Sequence, residues 1–350
     1  MSRVVEWRPV LSCLLILAVI GLVPFLGRLV TETFGPDPSL ALPSYLPSLE
    51  ARRPRAPFVP TPIQDLRDAG PGIVIVGDSM GGRIHEQHLS GIAGTPVLPV
   101  LMNATGSAYW YLVLKNYIVE SGIRPGWVLI FFRDTNLTDV MFRLDGPYRA
   151  ALDAVARDAE PELDRVVARR KSGTWAGIHT TVEQAYHVRA MREWLEPALA
   201  RGVARLVAAP GRDSQLVDRV NGAFTLDKFR SVAQADAASA DDREADLAAN
   251  VDRSVLPLML DLAARHKLRL AFVRVMRRPE NGQPPPVSPA LTRYIADLRT
   301  YVQAHGAYLI DDHDDPGLAS LPYADGDHIS RDARVPYTDR FWPKLRALAE

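Results

Sequence analysis

The chain has 350 residues, enough for one large domain carrying an insertion or for two smaller domains. Lys plus Arg and Asp plus Glu each number 41, so no overall charge points to nucleic acid as a partner, and a hydrophobic content of 47% is that of a globular chain. Cys13 is the single cysteine, which excludes a disulfide framework and a cysteine-based zinc site.

The first segment is apolar. Pro9 to Gly27 carries no charged residue and is rich in Leu, Ile and Val. As a helix it would rise about 28 Å, close to the thickness of the bilayer hydrocarbon. Arg3 and Arg8 precede it, which favours a cytoplasmic amino end. A cleaved signal peptide is the rival reading, but the run is long for such a peptide's apolar core and no Ala-x-Ala cleavage site follows. The expectation is a single-pass membrane anchor over residues 1–31 in a bacterial inner membrane, with the remainder in the periplasm. Residues 32–62 follow, with Pro36, Pro38, Pro43, Pro47, Pro54, Pro57, Pro60 and Pro62. Such a stretch predicts a semi-extended linker that packs no core, with the folded part, 63–350, beginning near Ile63 to Gly72.

From Gly72 onward short apolar runs alternate with helical patterns. The runs are Ile73–Val76, Val97–Leu101, Val128–Phe132, Leu268–Val275 and Ala307–Ile310, and their continuity suits a parallel sheet covered on both faces. Helices are predicted over Gly81–Leu89, Ser107–Glu120, Val251–His266 and Pro289–His305, with a closing amphipathic helix over Tyr337–Ala349. Alternation of this kind implies βαβ units in a three-layer α/β domain. The stretch from about 140 to 249 is rich in Ala, Arg and Asp and reads as an inserted helical cap.

Two motifs carry chemistry. Gly77-Asp78-Ser79 follows the first strand, and Asp325-Gly326-Asp327-His328 stands near the other end. A strand delivers a serine to the carboxyl edge of a sheet, where open α/β folds bind ligands. The stretch Arg83 to Leu89 is expected to open a helix whose amino end favours developing negative charge. A serine hydroxyl needs a base to become a nucleophile, and a carboxylate keeps that imidazole in the right tautomer. Asp325 is the expected orienting acid, with Asp327 its rival. The run Asp311-Asp312-His313-Asp314-Asp315 reads as a solvated loop, since consecutive residues cannot all face one ion; no metal or other cofactor is expected.

Gly77-Asp78-Ser79-Met80-Gly81 also fits the nucleophile elbow of α/β-hydrolases, but those place several strands before the serine and here one precedes it. The Gly-Asp-Ser triplet after the first strand, with D-x-x-H near the end, resembles the SGNH/GDSL hydrolases over roughly residues 72–138 and 265–346. The resemblance implies a flavodoxin-like three-layer fold with Ser79 as nucleophile, His328 as base and Asp325 as its orienting acid. It implies an oxyanion hole from the Ser79 amide, from Gly106 after the second strand, and from an asparagine after the third. There the family shows G-x-N-D, whereas this chain has Arg133-Asp134-Thr135-Asn136, so the third donor is Asn136, one residue late, or Thr135 stands in its place.

Arg133, Arg274 and Arg277 close the third and fourth strands and would reach the same edge as Ser79. Arginine forks suit carboxylates and phosphates, so these residues, with Asp78 and Thr135, form the candidate substrate-binding set for an anionic polymer. The alternative is structural pairing with Asp134, Asp139 or the Asp311–Asp315 run. An anchor, a linker and an SGNH-like domain together resemble envelope proteins that add or remove acyl groups on exopolysaccharides, some beside a multi-spanning membrane acyltransferase. The implied activity is O-acyl, in first place O-acetyl, transfer to or hydrolysis from a cell-surface polysaccharide. Two alternatives stay open: an esterase for lipids or small esters, and a glycan-binding assembly protein that has lost activity.

Overall fold

The computed structural model describes residues 22, 45–49, 55–145, 148–171, 245–279, 282–324 and 327–349. The chain divides into two units, and nearly all described residues belong to the larger, comprising Pro43–Glu50, Arg55–Arg170 and Phe229–Glu350. Its centre is a five-stranded parallel sheet: β1 Ile73–Gly77, β2 Val97–Leu101, β3 Trp127–Phe132, β4 Leu270–Arg274 and β5 Tyr308–Asp311. The spatial order is β2-β1-β3-β4-β5. β1, β3 and β4 are buried throughout, as expected of apolar runs covered on both faces. β2 is the half-exposed edge strand, and it is the strand that carries a proline, Pro99, where a missing N–H is least harmful.

Alternate residues feed two cores. Val74, Val76, Val128, Ile130, Phe132 and Phe272 pack with α1 (Thr61–Ala69), α3 (Ser107–Val113), α6 (Leu256–His266) and α7 (Pro289–Ala304). Ile73, Ile75, Leu129, Phe131, Ala271 and Val273 face α2 (Glu86–Ala93) and α8 (Arg334–Ala347). Within the insertion, α4 (Arg149–Val155) and α5 (Pro161–Lys171) are helical and add Leu152, Val155, Leu163 and Val167 to the first core. α3 runs on into a π-helical turn over Leu114–Val119.

Three expectations change. The stretch Gly81–Leu89 is not one helix: a 3₁₀ turn spans Ser79–Arg83, the backbone extends at Ile84 and His85, and α2 starts at Glu86 with the His85 ring accepting from the His88 amide at 3.3 Å. Two adjacent glycines, Gly81 and Gly82, weaken helix there. The proline-rich linker does pack a core, since Tyr45, Leu46 and Leu49 are buried and the Tyr45 hydroxyl donates to Asp153 Oδ1 at 2.7 Å. Prolines bar regular backbone but leave the side chains between them free to pack. The acidic run is not a solvated loop throughout, because Asp311 and Asp312 are buried in ion pairs. Among the described residues no helix is long and apolar enough to cross a membrane; apart from Leu22, the predicted anchor over 1–31 lies outside the described residues.

Candidate active site

In the order β2-β1-β3, β1 connects to β2 on one side and the next connection crosses back past β1 to β3 on the other, so the switch point at which open α/β sheets bind ligands lies at the carboxyl ends of β1 and β3. Ser79 stands there, two residues beyond β1, as first residue of the 3₁₀ turn. The turn is shaped by Asp78, whose Oδ1 accepts from the Met80 amide at 2.9 Å. Close packing explains the glycines around it. A Cβ on Gly77 would press on Phe131, and one on Gly81 would lie 2.5 Å from Leu101 Cδ2.

His328 arrives from the far end of the chain. Its Nε2 lies 2.7 Å from Ser79 Oγ, the separation of a nucleophile and its base. The loop that carries it is a small hairpin. Tyr323 and Ile329 form an antiparallel bridge, the Ala324 amide donates to His328 O at 2.8 Å, and the Ser330 amide to Pro322 O at 2.9 Å. Asp325, the expected orienting acid, and Gly326 lie outside the described residues. Asp327 pairs with Arg133.

Two further strand ends contribute. Thr105 Oγ1 donates to Met102 O at 2.8 Å and accepts from Trp110 Nε1 at 3.2 Å, which fixes the loop from β2 to Gly106, the residue before α3. Gly106 is required by contact: a Cβ there would overlap the carbonyl oxygen of Phe142. After β3, Asp134 adopts a left-handed φ of 45°, and the Asn136 amide turns back to Arg133 O at 2.9 Å. Among the described residues the amides of Ser79 and Gly106 and the side chain of Asn136 make no hydrogen bond, so donors from three adjacent strand ends remain open. Thr135 is buried beside them, with its carbonyl taken by the Thr138 amide at 3.0 Å.

The arginines divide differently from expectation. Arg274 is 3% exposed and holds Asp311 at 2.9 Å and Asp134 at 3.3 Å. That corrects its place among substrate-contacting groups: it is a buried ion pair joining β4, β5 and the loop after β3. Arg277 donates from Nε to Asp134 Oδ2 at 2.7 Å and Arg133 is paired with Asp327, so both are half-buried and already carry a carboxylate. Asp78 is 7% exposed and pairs with Arg143 at 3.1 Å. Burial pushes its carboxyl above the usual range, opposed by the Met80 amide and by the charges of Arg143, Arg133 and His328.

Two residues escaped sequence reasoning. Arg143 belongs to the start of the insertion, and nothing in its local sequence ties it to Asp78. Arg83, expected to open a helix, is 2% exposed and donates to Met276 O at 2.6 Å and Asp327 O at 2.7 Å. Among the described residues no cluster of three or more His, Cys, Asp or Glu side chains is arranged to hold a metal.

No protein-family model matches the chain, and no curated protein matches it. Among solved structures, an acylhydrolase by provisional assignment from Bacteroides fragilis aligns over 79% of this chain and 88% of its own, at 10% identity and a TM-score of 0.34. A GDSL-like lipase from Bacteroides thetaiotaomicron aligns over 78% and 88%, at 10% identity and a TM-score of 0.32. Scores of this size carry no weight; the chemistry rests on the geometry around Ser79.

Proposed function

We propose that the chain is a serine-dependent acyl-ester enzyme of the SGNH type. One observation carries the reading: His328 Nε2 stands 2.7 Å from Ser79 Oγ, although the two residues are 249 positions apart. In the proposed reaction Ser79 Oγ attacks the ester carbonyl while His328 Nε2 takes its proton. The tetrahedral oxyanion is met by the open amides of Ser79 and Gly106 and the Asn136 side chain, donors worth about 3–4 kcal/mol each where such a hole has been dissected. His328 then returns the proton to the leaving alcohol. The acyl-enzyme is resolved by water or by an acceptor hydroxyl. Asp325 is the proposed orienting acid.

The finer reading is O-acyl, in first place O-acetyl, transfer to or removal from a cell-surface polysaccharide outside the cytoplasm. It is supported by the uncharged run Pro9 to Gly27 and by the charged composition of the insertion, which suits a polar substrate better than a lipid. A multi-spanning membrane acyltransferase is the proposed partner for transfer.

The test treats the full chain, wild type and Ser79→Ala, with a fluorophosphonate probe and then with 4-nitrophenyl acetate. Labelling and acetate release that both vanish in the variant support the reading. Labelling that persists in Ser79→Ala, or none in the wild type, overturns it. Addition of an oligosaccharide acceptor then separates transfer from hydrolysis by the product formed.

A further inference from the structure

The residue before the base is held twice, by two arginines from two different elements. Arg133, next after β3, makes an ion pair with the Asp327 carboxylate. Arg83, the last residue of the turn that begins with Ser79, donates from Nη2 to the Asp327 carbonyl at 2.7 Å. Arg83 is itself immobilised. The same nitrogen reaches Met276 O at 2.6 Å, Nη1 lies 3.7 Å from Asp312 Oδ2, and the guanidinium sits 5.5 Å from the Tyr323 ring centre and 5.9 Å from that of Tyr337. Arg133 is anchored by β3, which pairs on both sides, with β1 and with β4.

We propose that Arg133 and Arg83 form a two-point clamp on Asp327 that sets the distance from His328 to Ser79, so that all three are positioning residues for the base. The proposal rests on the serine-hydrolase reading above. Three observations support it. The hairpin bonds at Ala324 and Ser330 give the loop its own shape, the Tyr323 hydroxyl reaches Met276 O only at the long distance of 3.5 Å, and the packing of Ile329 in the core is apolar and without direction. The clamp, by contrast, is directional and charge-assisted. Arg83 and Ser79 share one short turn, so the clamp measures the base directly against the nucleophile. Arg133 also faces Asp78 electrostatically, so one cation addresses the residue before the nucleophile and the residue before the base. The departure from G-x-N-D acquires a reason: a glycine at position 133 would have no side chain to hold the loop.

A base displaced by about 1 Å costs on the order of 100-fold in rate. Arg133→Gln, Asp327→Asn and the double variant are compared in the full chain by the rate of fluorophosphonate labelling at Ser79, by kcat and KM on 4-nitrophenyl acetate, and by the His328 imidazole resonances in a ¹H–¹⁵N correlation spectrum. Each single variant is expected to slow labelling by about 10- to 100-fold through kcat, with KM little changed. The double variant should be no slower than the worse single, since both break one contact. Arg133→Lys should recover part of the loss. Wild-type labelling rates in the singles, or fully additive losses in the double, overturn the clamp. If the wild type itself fails to label, the serine-hydrolase reading falls and the spectrum decides the clamp separately. His328 resonances shifted in Asp327→Asn and in Arg133→Gln support it; unshifted ones refute it.

Discussion

Arg143 Nη1 lies 3.1 Å from Asp78 Oδ2, tying the first loop of the insertion to the residue before Ser79. Arg143 does this from a left-handed backbone, φ 55°, with its guanidinium 4.7 Å from the Phe142 ring centre. The same loop places the Phe142 carbonyl against Gly106. The insertion therefore begins by packing against the turn that carries Ser79 and against Gly106.

Burial raises the Asp78 carboxyl above its ordinary value of 3.8. The folded chain thus holds this proton more tightly than the unfolded chain does. That contribution to stability is complete below the unfolded value and is lost as pH rises through the folded one. In urea unfolding from about pH 4 to 7, Asp78→Asn should gain on the wild type as pH rises. A gap that stays constant across that range would show that Asp78 titrates normally.

Arg274 bridges two buried carboxylates, Asp134 and Asp311. Arg274→Met leaves both without their shared cation, and the expected loss is about 3–5 kcal/mol in urea unfolding. The ratio of rates on an anionic and a neutral nitrophenyl ester should match the wild type, because this guanidinium is closed off from substrate. A changed ratio with unchanged stability would restore it as a recognition residue.

Gly106→Ala puts a methyl group into the Phe142 carbonyl, and a backbone atom cannot step aside as a side-chain tip can. A destabilisation of about 1–3 kcal/mol is expected, with slower acylation of Ser79 as the amide is pushed away. Gly81→Ala meets the flexible end of Leu101 and should be milder. Thermal unfolding of both variants, with labelling rates, checks the order.

Tyr45→Phe removes the hydrogen bond to Asp153 and should cost about 1–3 kcal/mol. Tyr45→Ala also empties a site 1% exposed and should cost about 3–5 kcal/mol. Chemical unfolding at equilibrium measures both. Two neutral results would return the segment to the role of a linker.

The strands were legible because each is built on a short apolar run, closed by Arg274 in β4 and by Asp311 in β5, and each observed strand lies within two residues of its prediction. Ser79 and His328 stood out because their neighbours are unusual in combination. What escaped was set by distance along the chain. Arg83 meets Met276 and Asp327, and Asp312 meets Arg83 and Tyr337, all through tertiary contacts that no local spacing encodes. Charge misled in the same way: an acidic run reads as solvated unless the buried cations opposite it are known. The proline-rich stretch erred because composition describes backbone preference, whereas Tyr45 and Leu46 are held by side-chain packing.

The order of synthesis gives the separation of Ser79 from His328 a further meaning. β3 and β4 pair across the whole insertion, and closing so long a loop delays the sheet behind its local helices. A nascent chain therefore exposes Ser79 long before His328 has been made. Until residue 327 emerges, Arg83 has no Asp327 carbonyl to grip and Ser79 is an ordinary alcohol. On the reading proposed above, a polypeptide interrupted before that point lacks the base that activates Ser79, and reactivity toward esters arrives only with residues 327 and 328.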